Sequence, residues 1–282
     1  MEHSNEMETM NIKKLALKIS IPMIMSMIAI ALYGIVDTAF VSRISDDALT
    51  TVSLAVPMQA IITAVALGIG IGVNSILAKS LGQKDEKKVT RIIGYGFVFS
   101  FISWIIIAIT TYFGTKTFFS FFSDNERIIN LGYEYFSVIG IFSIGSIFQI
   151  LFEKILEAYG KAKTSMIVQF SGTIINLILD PILIFGLLGF SALGIKGAAI
   201  ATIIARFIEL FILVIWSYSH KYEICGKLKE HLGYNKNFVF KYIKIAIRYN
   251  KNRRVLPPRF LFISIFFICV KSYSKSSIWC LY

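Results

Sequence analysis

The sequence predicts an all-α integral membrane protein: a six-helix bundle crossing the bilayer six times. Three observations carry this. The 282 residues are 56% hydrophobic with a mean hydropathy of +0.69, and only 16% are charged, against about a quarter in soluble domains. The apolar residues gather in runs of about 20, long enough to cross a roughly 30 Å hydrocarbon layer at about 1.5 Å per residue. The alternation of barrel strands is absent, and hydrocarbon offers the backbone no partners, so the runs must be helices.

The first span is Leu15–Val41; it exceeds 20 residues and lacks a small-residue cleavage site, so it is expected to remain as a span rather than be removed as a signal peptide. The next five are Val52–Ala78, Ile92–Phe113, Tyr133–Leu156, Ser165–Leu188 and Gly197–Tyr218, separated by short polar breaks such as "SRISDDALT" and "YGKAKT". Pro22 and Pro57 predict bends. Gly68 and Gly72 form a small-xxx-small face that predicts close packing.

Residues 1–14 read as an N-terminal segment, 15–218 as the six-helix lobe, 219–247 as a linker and 248–282 as an atypical basic tail. One side of the membrane would hold Lys13, Lys14, Lys18, Lys79, Lys84, Lys87, Lys88, Arg91, Lys154, Lys161 and Lys163, and the other only Arg43, Lys116, Arg127 and Lys196. This imbalance places the N-terminus in the cytoplasm of a plasma (inner) membrane protein.

The net charge is +12, but Arg248–Tyr282 contributes seven basic residues and no acid. The remainder suits loops facing anionic lipid, so membrane lipids, and not nucleic acid, are the expected partners. That tail also lacks Ala and Gly, and its apolar stretch "FLFISIFFICV" is too short to span. It reads either as a cytoplasmic tail with an interfacial segment or as sequence foreign to the fold, as from a shifted reading frame.

Two acids interrupt the apolar runs. Asp37 lies 19 residues beyond Lys18, about 28 Å along a helix, and Asp180 lies 17 beyond Lys163, about 26 Å. Both spans run the same way, so the two carboxylates reach similar depths. An ionised acid in a bilayer costs roughly 2.5–3.5 kcal/mol or more, which marks both as functional candidates. Pro181 removes a backbone donor beside Asp180 and can free carbonyl oxygens. Tyr33 precedes Asp37 by one turn and Asn176 precedes Asp180 by one turn, so each shares a face with its acid. Two carboxylates with neutral oxygen donors suit Na⁺, with Asp37, Asn176 and Asp180 as ligands. The same pair could bind a proton instead.

Arg206 and Glu209, three residues apart in the sixth span, are expected to pair. Glu153, Lys154 and Glu157 are expected at the interface near the end of the fourth span. The three cysteines (Cys225, Cys269, Cys280) show no metal spacing and no histidine lies within a span. With neither GxxxxGK[ST] nor HExxH present, an enzyme is not expected, and no cofactor beyond a coupling ion.

The stretches "IPMIMSMIAIALYGIVDTAFVSRI" and "LAVPMQAIITAVALGIGIGVNSILAKSLGQKD" resemble the start of multidrug and toxic compound extrusion (MATE) transporters; "INLILDPILIFG" and "ALGIKGAAIATIIA" resemble their fifth and sixth helices. The resemblance covers about residues 12–247. It implies one lobe of a twelve-helix, two-lobe transporter that exports drugs or organic cations by alternating access, in exchange for Na⁺ or H⁺. It assigns the coupling-ion site to Asp37, Asn176 and Asp180, with a sixth-helix hydroxyl, Thr202. After "KYIKIAI" the pattern stops, so the expected chain is an N-terminal lobe that either transports little or pairs with a second six-helix lobe. A lipid-linked oligosaccharide flippase, which would need a more basic cavity, and a non-functional or scaffold fragment are the alternatives.

Overall fold

In the computed structural model, residues 12–189 and 191–219 are described. The segments 220–247 and 248–282, with the linker and tail expected there, lie outside them, as do residues 1–11. Seven α-helices and one short turn make up the described chain: α1 (Ile12–Val41), α2 (Asp46–Gly82), α3 (Glu86–Phe122), α4 (Glu126–Ile141), α5 (Ile144–Ala158), α6 (Ala162–Phe185), a 3₁₀ turn (Leu187–Gly189) and α7 (Ile195–Ser219). Five are long and apolar enough to cross a membrane, and α4 with α5, bent by 43° at their junction, makes a sixth. The predicted Tyr133–Leu156 span is therefore two helices. The helices also run further than the apolar runs: α2 and α3 have 37 residues each and include polar turns assigned above to loops. Hydropathy marks where hydrocarbon begins, whereas capping marks where a helix does. Ser45 caps α2 by accepting from Ala48 N at 3.1 Å, and Asp85 caps α3 by accepting from Lys88 N at 3.1 Å.

Large apolar side chains point outward along the spans, among them Ile35 (66% exposed), Phe113 (73%) and Phe211 (66%). Such a surface suits lipid and would aggregate in water. Inside, one apolar cluster lies towards the α1–α2 and α6–α7 connections, with Val41, Phe119, Tyr135, Ile184 and Ile195. A second lies towards the α2–α3 and α5–α6 connections, with Leu77, Val89, Leu156 and Leu213. Along α5, α6 and α7 the stretch between the two clusters carries buried Gln149, Gln169, Asn176, Asp180 and Glu209.

Small residues set the antiparallel registers. A Cβ on Gly132 would strike the Phe119 ring and one on Gly140 would strike Thr111, which locks α4 against α3. Between α6 and α7, Gly172 faces Glu209 and Gly197 faces the Leu183 carbonyl, so the two backbones approach closely. Of the predicted Gly68–Gly72 face, Gly72 does not pack within the lobe: a Cβ on it would meet open space, and the neighbouring Gly70 makes a close contact, against Lys154. Pro181 does not end α6, which continues to Phe185 and stops at Gly186 in the left-handed region (φ 74°).

Candidate functional site

The candidate site is built by α1, α6 and α7, with α6 packed against both of the others. Asp37, Asn176 and Asp180 are 7%, 2% and 1% exposed, so the two acids are enclosed within the lobe. Asp37 lies close enough to Asp180 for their charges to interact.

Asn176 holds Asp180 from one turn below. With its amide oriented to satisfy both neighbours, the nitrogen donates to Asp180 Oδ2 at 3.0 Å and the oxygen accepts from the Thr202 backbone N–H at 3.2 Å. That bridge ties α6 to α7. The Thr202 hydroxyl in turn shares a hydrogen bond with the Tyr33 hydroxyl at 2.9 Å, tying α7 to α1. Thus Tyr33, Asn176, Asp180 and Thr202 form one chain of contacts across three helices. Asp37 stands beside it with a fully buried Oδ1 that has no hydrogen-bond partner. An orphaned carboxylate oxygen in a membrane interior is costly, and a bound cation or proton would relieve that cost.

Among the described residues no three His, Cys, Asp or Glu side chains converge. Two carboxylates with nearby hydroxyl oxygens form a hard, oxygen-only donor set, which fits a monovalent cation better than a thiolate- or imidazole-seeking metal; the Asn176 oxygen, expected as a ligand, is instead taken by the Thr202 N–H.

Beside the chain lies a small cavity lined by Tyr33, Gly172, Thr173, Asn176, Thr202, Ala205, Arg206 and Glu209. Arg206 pairs with Glu209 at 2.9 Å, and its guanidinium lies 6.0 Å from the centre of the Tyr33 ring. The pairing follows from the spacing; its nearness to Tyr33 does not. Glu153, expected at the interface, is enclosed by neighbouring helices: it is 8% exposed, accepts from Gln149 Nε2 at 3.2 Å, and feels the charges of Arg206 and Glu209. Lys154 and Glu157 pair with each other at 2.7 Å, both largely shielded. What spacing alone could have indicated is the ladder Gly172–Asn176–Asp180, at i, i+4 and i+8, facing Thr202, Arg206 and Glu209, at i, i+4 and i+7.

Residues 22–182 match the MatE family model. The multidrug export protein MepA of Staphylococcus haemolyticus is 28% identical over 241 residues, 85% of this chain and 52% of its own length. A FAD transporter of Shewanella oneidensis is 28% identical over 202 residues, 71% of this chain and 44% of its own. A solved structure described as the outward-facing conformation of a multidrug resistance MATE family transporter of the MOP superfamily superposes with a TM-score of 0.73 at 25% identity, covering 80% of this chain and 49% of that one. The chain spans about half the length of the curated relatives it matches.

Proposed function

The chain belongs to the MatE family, and we propose that it supplies the N-terminal six-helix lobe of a cation-coupled exporter of drugs or organic cations. Asp37 and Asp180 share one coupling cation, Na⁺ or H⁺. Asn176 orients Asp180, and Tyr33 and Thr202 hold α1 and α7 against the site. The observation that carries this reading is the orphaned Asp37 oxygen beside the Tyr33–Thr202 and Asn176–Asp180 contacts.

The mechanism follows from charge. Empty, the site holds two negative groups in a low-dielectric interior and repulsion favours their separation; a cation between them reverses the sign of that force. Because Asp37 is on α1 and Asp180 on α6, occupancy biases how α1 leans on α6. A second six-helix lobe facing this one would complete the path for the organic substrate, and ion occupancy on one side of the membrane would then be exchanged for substrate release. The N-terminus lies in the cytoplasm and the bundle in the inner membrane.

Proteoliposomes containing the 282-residue chain, loaded with ethidium and given an inward Na⁺ or H⁺ gradient, test this reading. Dye movement that needs the gradient and is lost in both Asp37→Asn and Asp180→Asn supports it; movement that is indifferent to both substitutions contradicts it.

A further inference from the structure

The Arg206–Glu209 pair has no part in the proposed cation site, yet it lines the same cavity as three residues that support that site, Tyr33, Asn176 and Thr202. Glu209 is 1% exposed, and the Arg206 side chain 21%. The guanidinium has five donors, and one of its nitrogens is bonded, to Glu209 Oε2. It lies over the same Tyr33 ring whose hydroxyl reaches Thr202. On the other side, the Glu209 carboxylate occupies the space left by the missing side chain of Gly172, one turn from Asn176 on α6. The fold therefore keeps a positive and a negative charge beside Tyr33 and Asn176, each one turn from one of the two acids. Because the pair is made within one helix it ties no helices together, and replacing a buried ion pair with apolar residues often leaves stability unchanged.

We propose that Arg206 and Glu209 set the affinity of the Asp37–Asp180 site for its coupling cation. Arg206 is a fixed positive charge that opposes cation entry, and Glu209 cancels most of its field. The pair thus keeps the site from holding its ion too tightly to release it. Unit charges roughly 10 Å apart at an effective dielectric of about 20 shift one another's binding equilibria by about tenfold, enough to matter for an ion that must bind and leave in every cycle. The other charges near the pair are Glu153 on α5 and, beyond it, the mutually neutralising Lys154 and Glu157. Neither role requires Arg206 or Glu209 to touch the ion; both act as positioning charges. The inference rests on the cation site proposed above.

The test is an equilibrium titration of the purified 282-residue chain in lipid nanodiscs, with NaCl at alkaline pH and separately with acid, followed by the carboxyl infrared bands. Glu209→Gln, which leaves the guanidinium uncompensated, is expected to weaken binding of the responding ion about tenfold. Arg206→Gln, which leaves Glu209 uncompensated, is expected to strengthen it about as much. The double variant should return to within about twofold of wild type, and Arg206→Lys, which keeps the charge, should bind as wild type does. A merely structural pair would lower thermal stability in both single variants without moving affinity in opposite directions. Single variants that shift affinity the same way, or not at all, while the wild type binds normally, overturn the inference. A wild-type chain that responds to neither ion, or an Asp180→Asn chain that still responds, instead refutes the cation site itself and this inference with it.

Discussion

Asn176 joins two helices through one amide: it donates to Asp180 on its own helix at 3.0 Å and accepts from the Thr202 backbone on α7 at 3.2 Å. The residue thus fixes the orientation of an acid and the spacing of the two helices around it. Asn176→Leu is expected to keep the chain inserted but leave Asp180 without its donor. Losing a bond to a charged group costs about 1.5–3 kcal/mol, and that cost falls on the ionised form of Asp180, so proton affinity should rise by at least about tenfold. Titration of the reconstituted chain with each ion measures this.

The Tyr33–Thr202 hydroxyl pair, 2.9 Å apart, is the tie between α1 and α7. Tyr33→Phe and Thr202→Val each remove one side of it, at about 0.5–1.5 kcal/mol. Because both delete the same bond, the double variant should cost scarcely more than either single. A thermal-denaturation double-mutant cycle reads that coupling.

At Gly172 even one extra carbon is consequential. A Cβ there would occupy the place of the Glu209 carboxylate, so Gly172→Ala must displace Glu209 and loosen α6 from α7. Overpacking of this kind costs typically about 1–3 kcal/mol. Gly72→Ala, whose Cβ would meet open space, should cost nothing measurable. Comparing the melting temperatures of the two variants checks the register directly.

Much of this was legible in the sequence, and what was not has physical causes. The six crossings follow from hydropathy because lipid permits little else. Both acids, and the residues one turn before each, were singled out because helical spacing in an apolar run leaves few polar positions to choose from. The break at Phe142–Ser143 was missed: residues 133–156 read as one predominantly apolar run with polar residues scattered along it, and nothing in composition distinguishes one helix from two bent by 43°. The enclosure of Glu153 was not legible because distance from the end of a span does not reveal which neighbours surround a side chain. Gly68 and Gly72 satisfied a packing pattern, but the pattern cannot say which face of α2 meets another helix.

Orientation is open to a direct check. Lys84, exposed between α2 and α3, and Lys196, exposed at the start of α7, are expected on opposite sides, with Lys84 cytoplasmic. In a chain whose three cysteines are replaced by serine, Lys84→Cys should resist a membrane-impermeant maleimide added to intact cells. Lys196→Cys should react.

The central claim is that Asp37 and Asp180 hold one cation between them. Infrared difference spectra of the chain in nanodiscs, recorded on adding NaCl and on acidification, test it most directly because they report the carboxyl groups themselves. The account predicts a carboxyl response to at least one of the two ions, in the wild type, that disappears in Asp37→Asn and in Asp180→Asn alike. A response that persists unchanged in either variant would contradict it.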